Sequence, residues 1–215
     1  MKNIILLAVQ GAGKGTLAKA LQEKYGYAHI STGDILREKA QKKDKIGKEI
    51  KALIDKGIFV SNELILEAIK EKITSPECKK GFIMDGFPRN LEQAKLYDEM
   101  IEELGLDGGI AINLVLDNKL LIERITGRRM CKDCGAIYNI YSKTLKPKKE
   151  NKCDKCGGEL YQRDDDNEEA LKTRVDTYYK VTEPVVEYYK KKGILHEVDS
   201  VDAEKTLKEV EKIIK

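Results

Sequence analysis

The sequence predicts a doubly wound α/β fold, a parallel sheet with helices on both faces, and three observations carry that expectation. Five short apolar runs alternate with helical patterns along the chain. The first run, Asn3 to Val9 (NIILLAV), has no polar interruption after Asn3, as suits a strand buried on both faces. That run leads through a glycine-rich turn, Gly11 to Thr16 (GAGKGT), straight into a helical pattern. In such folds ligands lie at the carboxyl ends of the strands.

Taken in order, TLAKALQEKYG places Leu17, Ala18 and Leu21 at helical spacing and stops at Gly26. Further strands are expected at Ala28–Ser31, Gly81–Asp85, Gly108–Leu116 and Gly193–Val198. Helices are expected at Glu63–Lys72, Leu91–Leu104, Asn118–Arg124, Glu168–Lys192 and Ala203–Ile214. Two stretches break the rhythm. Gly33 to Gly57 is polar, lysine-rich and helical in pattern, and Gly127 to about Asp164 is rich in Cys, Gly and Lys. They read as two insertions over one core, which 215 residues are enough to build.

Charged residues make up 36% of the chain, but 40 basic and 37 acidic side chains nearly cancel. No global field marks a nucleic-acid or membrane binder, so an anionic ligand must be held by local groups. The opening MKNIILLAVQ has too few apolar residues for a membrane span and no small-residue cleavage site, which points to a soluble, cytoplasmic protein.

The glycine-rich turn departs from the general phosphate-loop pattern G-x-x-x-x-G-K-[ST] at Ala8 and at Gly15. Its chemistry survives the departures. Gly11, Gly13 and Gly15 let successive N–H groups turn toward one point, Lys14 adds a mobile charge, and a helix N-terminus aims at the same spot. The plainer alternative is a turn with a solvated lysine. Asp85 ends an apolar strand, where a carboxylate holds Mg²⁺ through water, or else serves as a cap. Arg89, after a Gly and a Pro in DGFPR, brings a planar guanidinium fork suited to phosphate.

Arg124, Arg128 and Arg129 follow in ERITGRR, the first two one helical turn apart and so able to face the same way. Arg163 and Arg174 flank the acidic run Asp164 to Asp166. So many arginines at the edges of insertions suggest a clamp, and phosphoryl transfer needs positioning and charge neutralisation above all. Four of the five cysteines, Cys131, Cys134, Cys153 and Cys156, form C-x2-C-x18-C-x2-C with Gly135 and Gly157 after each pair. That spacing closes a tetrahedral thiolate cage around Zn²⁺. With no open coordination position, the metal is structural and staples a segment too short to build its own core. Cys78 is left as a free thiol.

GAGKGT, STGDILR (Ser31 to Arg37), DGFPRNLEQ (Asp85 to Gln93), ITGRR (Ile125 to Arg129) and YQRDDDNEEALKTR (Tyr161 to Arg174) stand in one order along the whole chain. With these motifs the sequence resembles the adenylate kinase family, in its bacterial long-lid form with a zinc-binding lid. Gly15 followed by Thr16 matches the GKGT variant of that family. Ala8 stands where the family usually has Gly and Gln10 where it commonly has Pro, so a working cradle with modestly altered ATP affinity is expected.

The resemblance implies a P-loop nucleoside monophosphate kinase fold with a parallel five-stranded sheet flanked by helices. Residues 1-30, 61-126 and 165-215 would be the core, 31-60 the AMP-binding insertion and 127-164 the zinc-binding lid. The implied reaction is reversible transfer of a phosphoryl group from Mg-ATP to AMP, giving two ADP. Its partners would be those small molecules, without nucleic acid or membrane, for a monomeric cytoplasmic enzyme. Catalysis would fall to Lys14, Asp85, Arg89, Arg124, Arg128, Arg163 and Arg174.

By the same resemblance ATP would be held by Gly11, Ala12, Gly13, Lys14, Gly15, Thr16 and Arg128, with Ile137 and Tyr138 nearby and Asp202 touching adenine through backbone. Arg124 would join Arg128 in meeting the ATP phosphates from the lid side. AMP would be held by Thr32, Arg37, Ile58, Phe59, Val60, Gly86, Phe87, Pro88, Arg89 and Gln93, with Gln93 reading the adenine edge. Arg163 and Arg174 would span both nucleotides, oriented by Asp165 and Asp166.

Two other functions fit parts of the pattern. One is a kinase for UMP, CMP or GMP on the same fold. The other is a zinc-ribbon module binding nucleic acid or protein on a P-loop scaffold, with Lys143, Lys146, Lys148 and Lys149 in its ribbon. A P-loop GTPase is disfavoured by the lack of an N-K-x-D motif.

Overall fold

A computed structural model describes residues 2–41, 45–55, 60–163 and 166–215. The elements run β1 (Ile4–Leu7), α1 (Lys14–Tyr25), β2 (Ala28–Ser31), α2 (Thr32–Gln41), α3 (Lys45–Asp55), α4 (Asn62–Ile73), β3 (Phe82–Asp85), α5 (Leu91–Glu103) and β4 (Ile110–Val115). They continue as α6 (Asn118–Thr126), β5 (Arg128–Cys131), β6 (Ile137–Asn139), β7 (Leu160–Tyr161), α7 (Glu168–Thr177), α8 (Glu183–Lys191), β8 (Leu195–Asp199) and α9 (Ala203–Ile214).

The five strands expected from the apolar runs form one parallel sheet in the order β2-β3-β1-β4-β8. β1 lies at its centre, so both of its faces must be covered. Ile4 and Leu6 pack with Leu17, Leu21 and Val210 of α1 and α9. Ile5 and Leu7 point the other way, to Ile69, Tyr97 and Val186 of α4, α5 and α8. This two-sided burial is why the run lacks an alternating polar residue. The register sets Leu6 beside Asp85 on one side and Ile112 on the other, so the turn after β1 and the end of β3 open on the same edge.

Three features differ from the sequence expectation or go beyond it. The long helix Glu168–Lys192 is broken by a π-helical turn, Tyr178–Thr182, between α7 and α8. Pro184, in the first turn of α8, cannot donate to the carbonyl four residues back, so the backbone is rewound there. Between Gly127 and Asp164 the chain builds an antiparallel sheet of its own, in the order β6-β5-β7. Finally, Arg124 and Arg128 do not share a helix face. Asn139 donates from Nδ2 to the carbonyls of Glu123 and Arg124 and so closes α6, and Arg128 opens β5 instead.

Candidate active site

α1 begins at Lys14 with Gly13 as its N-cap, in the left-handed region at φ 102°, and no side chain caps its first amides. No acidic residue stands in that first turn either. No side chain therefore competes for these amides, as an anion site requires, and the turn lies at the edge where β1 and β3 both end. A Cβ on Gly11 would come within 2.9 Å of the Ile125 side chain, and one on Gly13 within 3.1 Å of Ser200 Oγ. The loop is thus pressed against α6 and the turn after β8.

Lys14 Nζ donates to the Ala8 carbonyl at 2.8 Å. Protein crowds the ammonium, and this burial lowers its pKa from the ordinary lysine value; Asp85 opposes the shift and Arg89 adds to it. Asp85 itself carries His29 Nε2 at 3.2 Å from its Oδ2, and its carbonyl accepts from Thr32 Oγ1 at 3.1 Å. Thr32 is buried.

Arg89 is held from three elements. Its Nε donates to the Gly86 carbonyl at 2.8 Å, its amide donates to Gln93 Oε1 at 2.8 Å, and its carbonyl accepts from Thr182 Oγ1 at 2.9 Å. The residue is exposed to solvent, yet neighbouring protein atoms partly desolvate the guanidinium and lower its pKa against the opposing pull of Asp85. Gln93 is buried and donates from Nε2 to Asn62 Oδ1 at 2.9 Å. Phe87 and Pro88 join through a cis peptide and are both buried, Phe87 within the apolar core.

The four cysteine sulfurs lie within 4.8 Å of one another. Cys131 and Cys156 Sγ are 3.4 Å apart, and Cys134 and Cys153 Sγ 3.6 Å. Four thiolates about 2.3 Å from a tetrahedral zinc ion would be about 3.8 Å apart, so the donor set fits one ion. Each C-x-x-C pair closes a turn, with the Gly135 amide on the Cys131 carbonyl and the Gly157 amide on the Cys153 carbonyl. Around the sulfurs the apolar cluster consists of Cys131, Ala136, Tyr138, Cys153 and Leu160, too small a core to hold this segment by itself.

Comparison with known proteins decides what this arrangement belongs to. The family model described as adenylate kinase matches residues 6–194. A protein of Archaeoglobus fulgidus called adenylate kinase is 50% identical over 214 residues, covering 99% of this chain and 97% of that one. One of Thermodesulfovibrio yellowstonii with the same name is 49% identical over 195 residues, covering 91% and 90%. One of Thermosipho melanesiensis, also so named, is 46% identical over 214 residues, covering 99% of each.

The chain belongs to the adenylate kinase family. As an adenylate kinase it is a phosphotransferase of the nucleoside monophosphate kinase class, and this reading stands over the zinc-ribbon binding module. Among the described residues, no helix is long and apolar enough to cross a membrane.

Against that frame of adenylate kinase chemistry, the expected residues fall into three groups. Lys14, Asp85, Thr32, Gly86, Arg89 and Gln93 gather at the carboxyl edge of β1 and β3. Ile58, Phe59 and Asp165 lie outside the described residues, as do the side chains of Arg37 and Arg174; Val60 is buried in the core beside α4. The third group makes contacts, or stands exposed, in ways the sequence does not reveal.

Arg124 is engaged by backbone carbonyls. Nη1 donates to the Ala12 carbonyl at 3.4 Å, and Nη2 to the carbonyls of Ser200 and Val201 at 2.6 and 2.9 Å, so it ties the cradle to the turn after β8. Burial lowers its pKa. Asp166 does not orient Arg163, which stays exposed against Met130; both of its oxygens take Arg128 instead. Tyr138 turns inward, where its hydroxyl accepts the Asp154 amide at 2.7 Å and lies 3.4 Å from Cys153 Sγ. Its neighbour Ile137 is exposed. Asp202 caps α9 by accepting the Lys205 amide on Oδ1.

His29, Asn62, Thr182 and Ser200 also belong to this site, although sequence reasoning passes over them. Ser200 Oγ donates to the Ala12 carbonyl, reinforcing the tie made by Arg124. Each is a lone polar residue in an ordinary strand, cap or turn, with no local pattern to mark it.

Proposed function

We propose that the chain catalyses reversible phosphoryl transfer from Mg-ATP to AMP, giving two ADP. The observation that carries this reading is the shared edge where the uncapped N-terminus of α1 and Lys14 face Asp85 and the triply held Arg89.

In this reading the amides of Gly11 to Thr16 cradle the ATP phosphates, and Lys14 leaves the Ala8 carbonyl to neutralise charge on the group in transfer. Arg89 and Thr32 hold the AMP phosphate on the other side, and Arg37 and the 58–60 backbone are assigned to AMP binding as well. Arg128, Arg163 and Arg174 stabilise the charge that spreads over the transferring oxygens. Arg124 fixes the cradle from behind. Asp85 would hold Mg²⁺ through water, and the ion would supply charge neutralisation to the ATP phosphates. The attacking phosphate oxygen of AMP is already anionic, so no general base is needed.

Residues 127-164 act as a lid stapled by structural Zn²⁺ on Cys131, Cys134, Cys153 and Cys156, residues 31-60 as the AMP-binding insertion, and 1-30, 61-126 and 165-215 as the core. Closure of the lid over ATP excludes water and limits wasteful hydrolysis. We place the enzyme in the cytoplasm as a monomer. The deciding experiment is ADP formation from ATP with AMP, UMP, CMP or GMP, with metal content measured on the same sample. Preference for AMP and one zinc per chain are expected; preference for another monophosphate would overturn the reading.

A further inference from the structure

We propose that Asn62 is a specificity-positioning residue that, together with the Arg89 amide, locks the Gln93 side chain in the one orientation that reads adenine and rejects 6-oxopurines. The inference rests on the reading above, in which Gln93 faces the base of the acceptor nucleotide.

A glutamine amide is nearly symmetric in shape and opposite in chemistry at its two ends, so a half-turn about its last bond exchanges an acceptor for donors. Here that half-turn is blocked at the Arg89 end and opposed at the Asn62 end. The Arg89 backbone N–H donates to Gln93 Oε1 at 2.8 Å, and a backbone amide has no way to become an acceptor. On the other side Gln93 Nε2 donates to Asn62 Oδ1 at 2.9 Å. Turned over, Nε2 would meet the Arg89 N–H, a donor, and Oε1 would meet the Asn62 oxygen unless the Asn62 amide turned with it, in a buried position where unmatched polar groups are costly. Asn62 is placed for this by its position as the first residue of α4, where the Ser61 cap fixes the start of the helix.

Each end of the locked amide keeps one further capacity, a second lone pair on Oε1 and a second hydrogen on Nε2. Adenine presents a matching pair, the N6 amino donor and the N1 acceptor. Hypoxanthine presents the reverse, an O6 acceptor and an N1–H donor. In the same pose a 6-oxopurine sets oxygen against oxygen and hydrogen against hydrogen, which is discrimination by repulsion as well as by attraction. If the amide could turn freely, either base would be accepted.

The test compares AMP with IMP, which differs from it only at that edge, as acceptors in wild type, Asn62→Leu and Asn62→Asp. Asn62→Leu removes the acceptor facing Nε2, and the AMP-to-IMP ratio of kcat/KM is expected to fall about three- to tenfold, the worth of one such hydrogen bond. Asn62→Asp keeps an acceptor that cannot turn into a donor, and it should retain the wild-type ratio or raise it. A purely structural role would lower both substrates together and leave the ratio alone. An unchanged ratio in Asn62→Leu, or an equal fall in Asn62→Asp, overturns the lock while AMP remains the preferred acceptor. A wild-type protein that prefers another monophosphate overturns the underlying reading instead, and the two failures are separable in one data set.

Discussion

Arg128 and Asp166, 38 residues apart in the chain, form a two-point ion pair in which Arg128 Nε donates to Asp166 Oδ2 at 2.9 Å and Nη2 donates to Oδ1. The Asp166 side chain has no exposed surface, and Arg128 keeps only 14% of its own. The Gln162 amide joins them by donating from Nε2 to the Asp166 carbonyl at 2.8 Å. A planar guanidinium gripped at two nitrogens has one orientation, so the carboxylate sets the direction in which Arg128 presents its remaining donor edge.

Removing one partner of such a pair leaves a buried charge uncompensated. Asp166→Ala is expected to lower stability by about 3 kcal/mol and to reduce kcat/KM for ATP, while Asp166→Asn, which keeps one acceptor, should lose less of each. Denaturant unfolding and steady-state kinetics on both variants check this. Additive losses in the Asp166→Ala/Arg128→Ala double variant would show that the two residues act independently.

The cysteine cluster leads to a prediction about metal removal. With five residues as the whole apolar core of the 127–164 segment, stripping the metal should unfold that segment ahead of the main sheet. Calorimetry before and after chelation should show a new low-temperature transition, with the main transition little moved and nucleotide still bound weakly. A single transition unchanged by chelation would refute it.

Thr182 sits in the π turn and donates to the carbonyl of Arg89, 93 residues earlier. Thr182→Val keeps the shape and removes the donor. The KM for AMP should rise about three- to tenfold, from one lost hydrogen bond, with a smaller change in the KM for ATP. Thr182→Ser keeps the hydroxyl and should restore the wild-type value. Equal changes in both KM values would point to general loosening of the fold instead.

Burial lowers the Lys14 pKa, and the sign of the consequence can be worked out. The unfolded chain holds this proton more tightly than the folded one, so Lys14 costs stability below its folded pKa, and the cost fades as pH rises through the window between the folded and unfolded values. An anionic phosphate in the cradle reverses the shift by favouring the ammonium. ATP binding at alkaline pH should therefore take up protons, read by titration calorimetry in buffers of different ionisation enthalpy. Lys14→Met should abolish the uptake and lower kcat by about 10²- to 10³-fold.

How much of this was legible beforehand depended on the range over which each cause acts. A strand buried on both faces must be apolar along its length, so NIILLAV, GFIMD and GGIAINLVL mark the centre of the parallel sheet, while AHIS and GILHEV, at its edges, carry polar residues. Two C-x-x-C pairs, each closed by a glycine, can form a tetrahedral donor set almost wherever they meet, and they do meet. The glycines of GAGKGT mark the cradle because backbone approach is a local property. These signals are written in residues a few positions apart.

The partners of the charged and amide groups are a different matter. Nothing local says that Asp166 takes Arg128, that Arg124 reaches residues 76 and 77 positions later, or that Asn62 meets Gln93 across 31 residues. An arginine at the end of a helix can point at a phosphate or at a carbonyl, and only the packing of α6 against the turn after β8 chose the carbonyl. The sequence by itself determined which chemical groups this protein owns and which backbone turns can cradle an ion. The tertiary structure alone decided which way those groups face, because a hydrogen bond's orientation is set by where distant elements come to rest, and no neighbour in the chain can fix that.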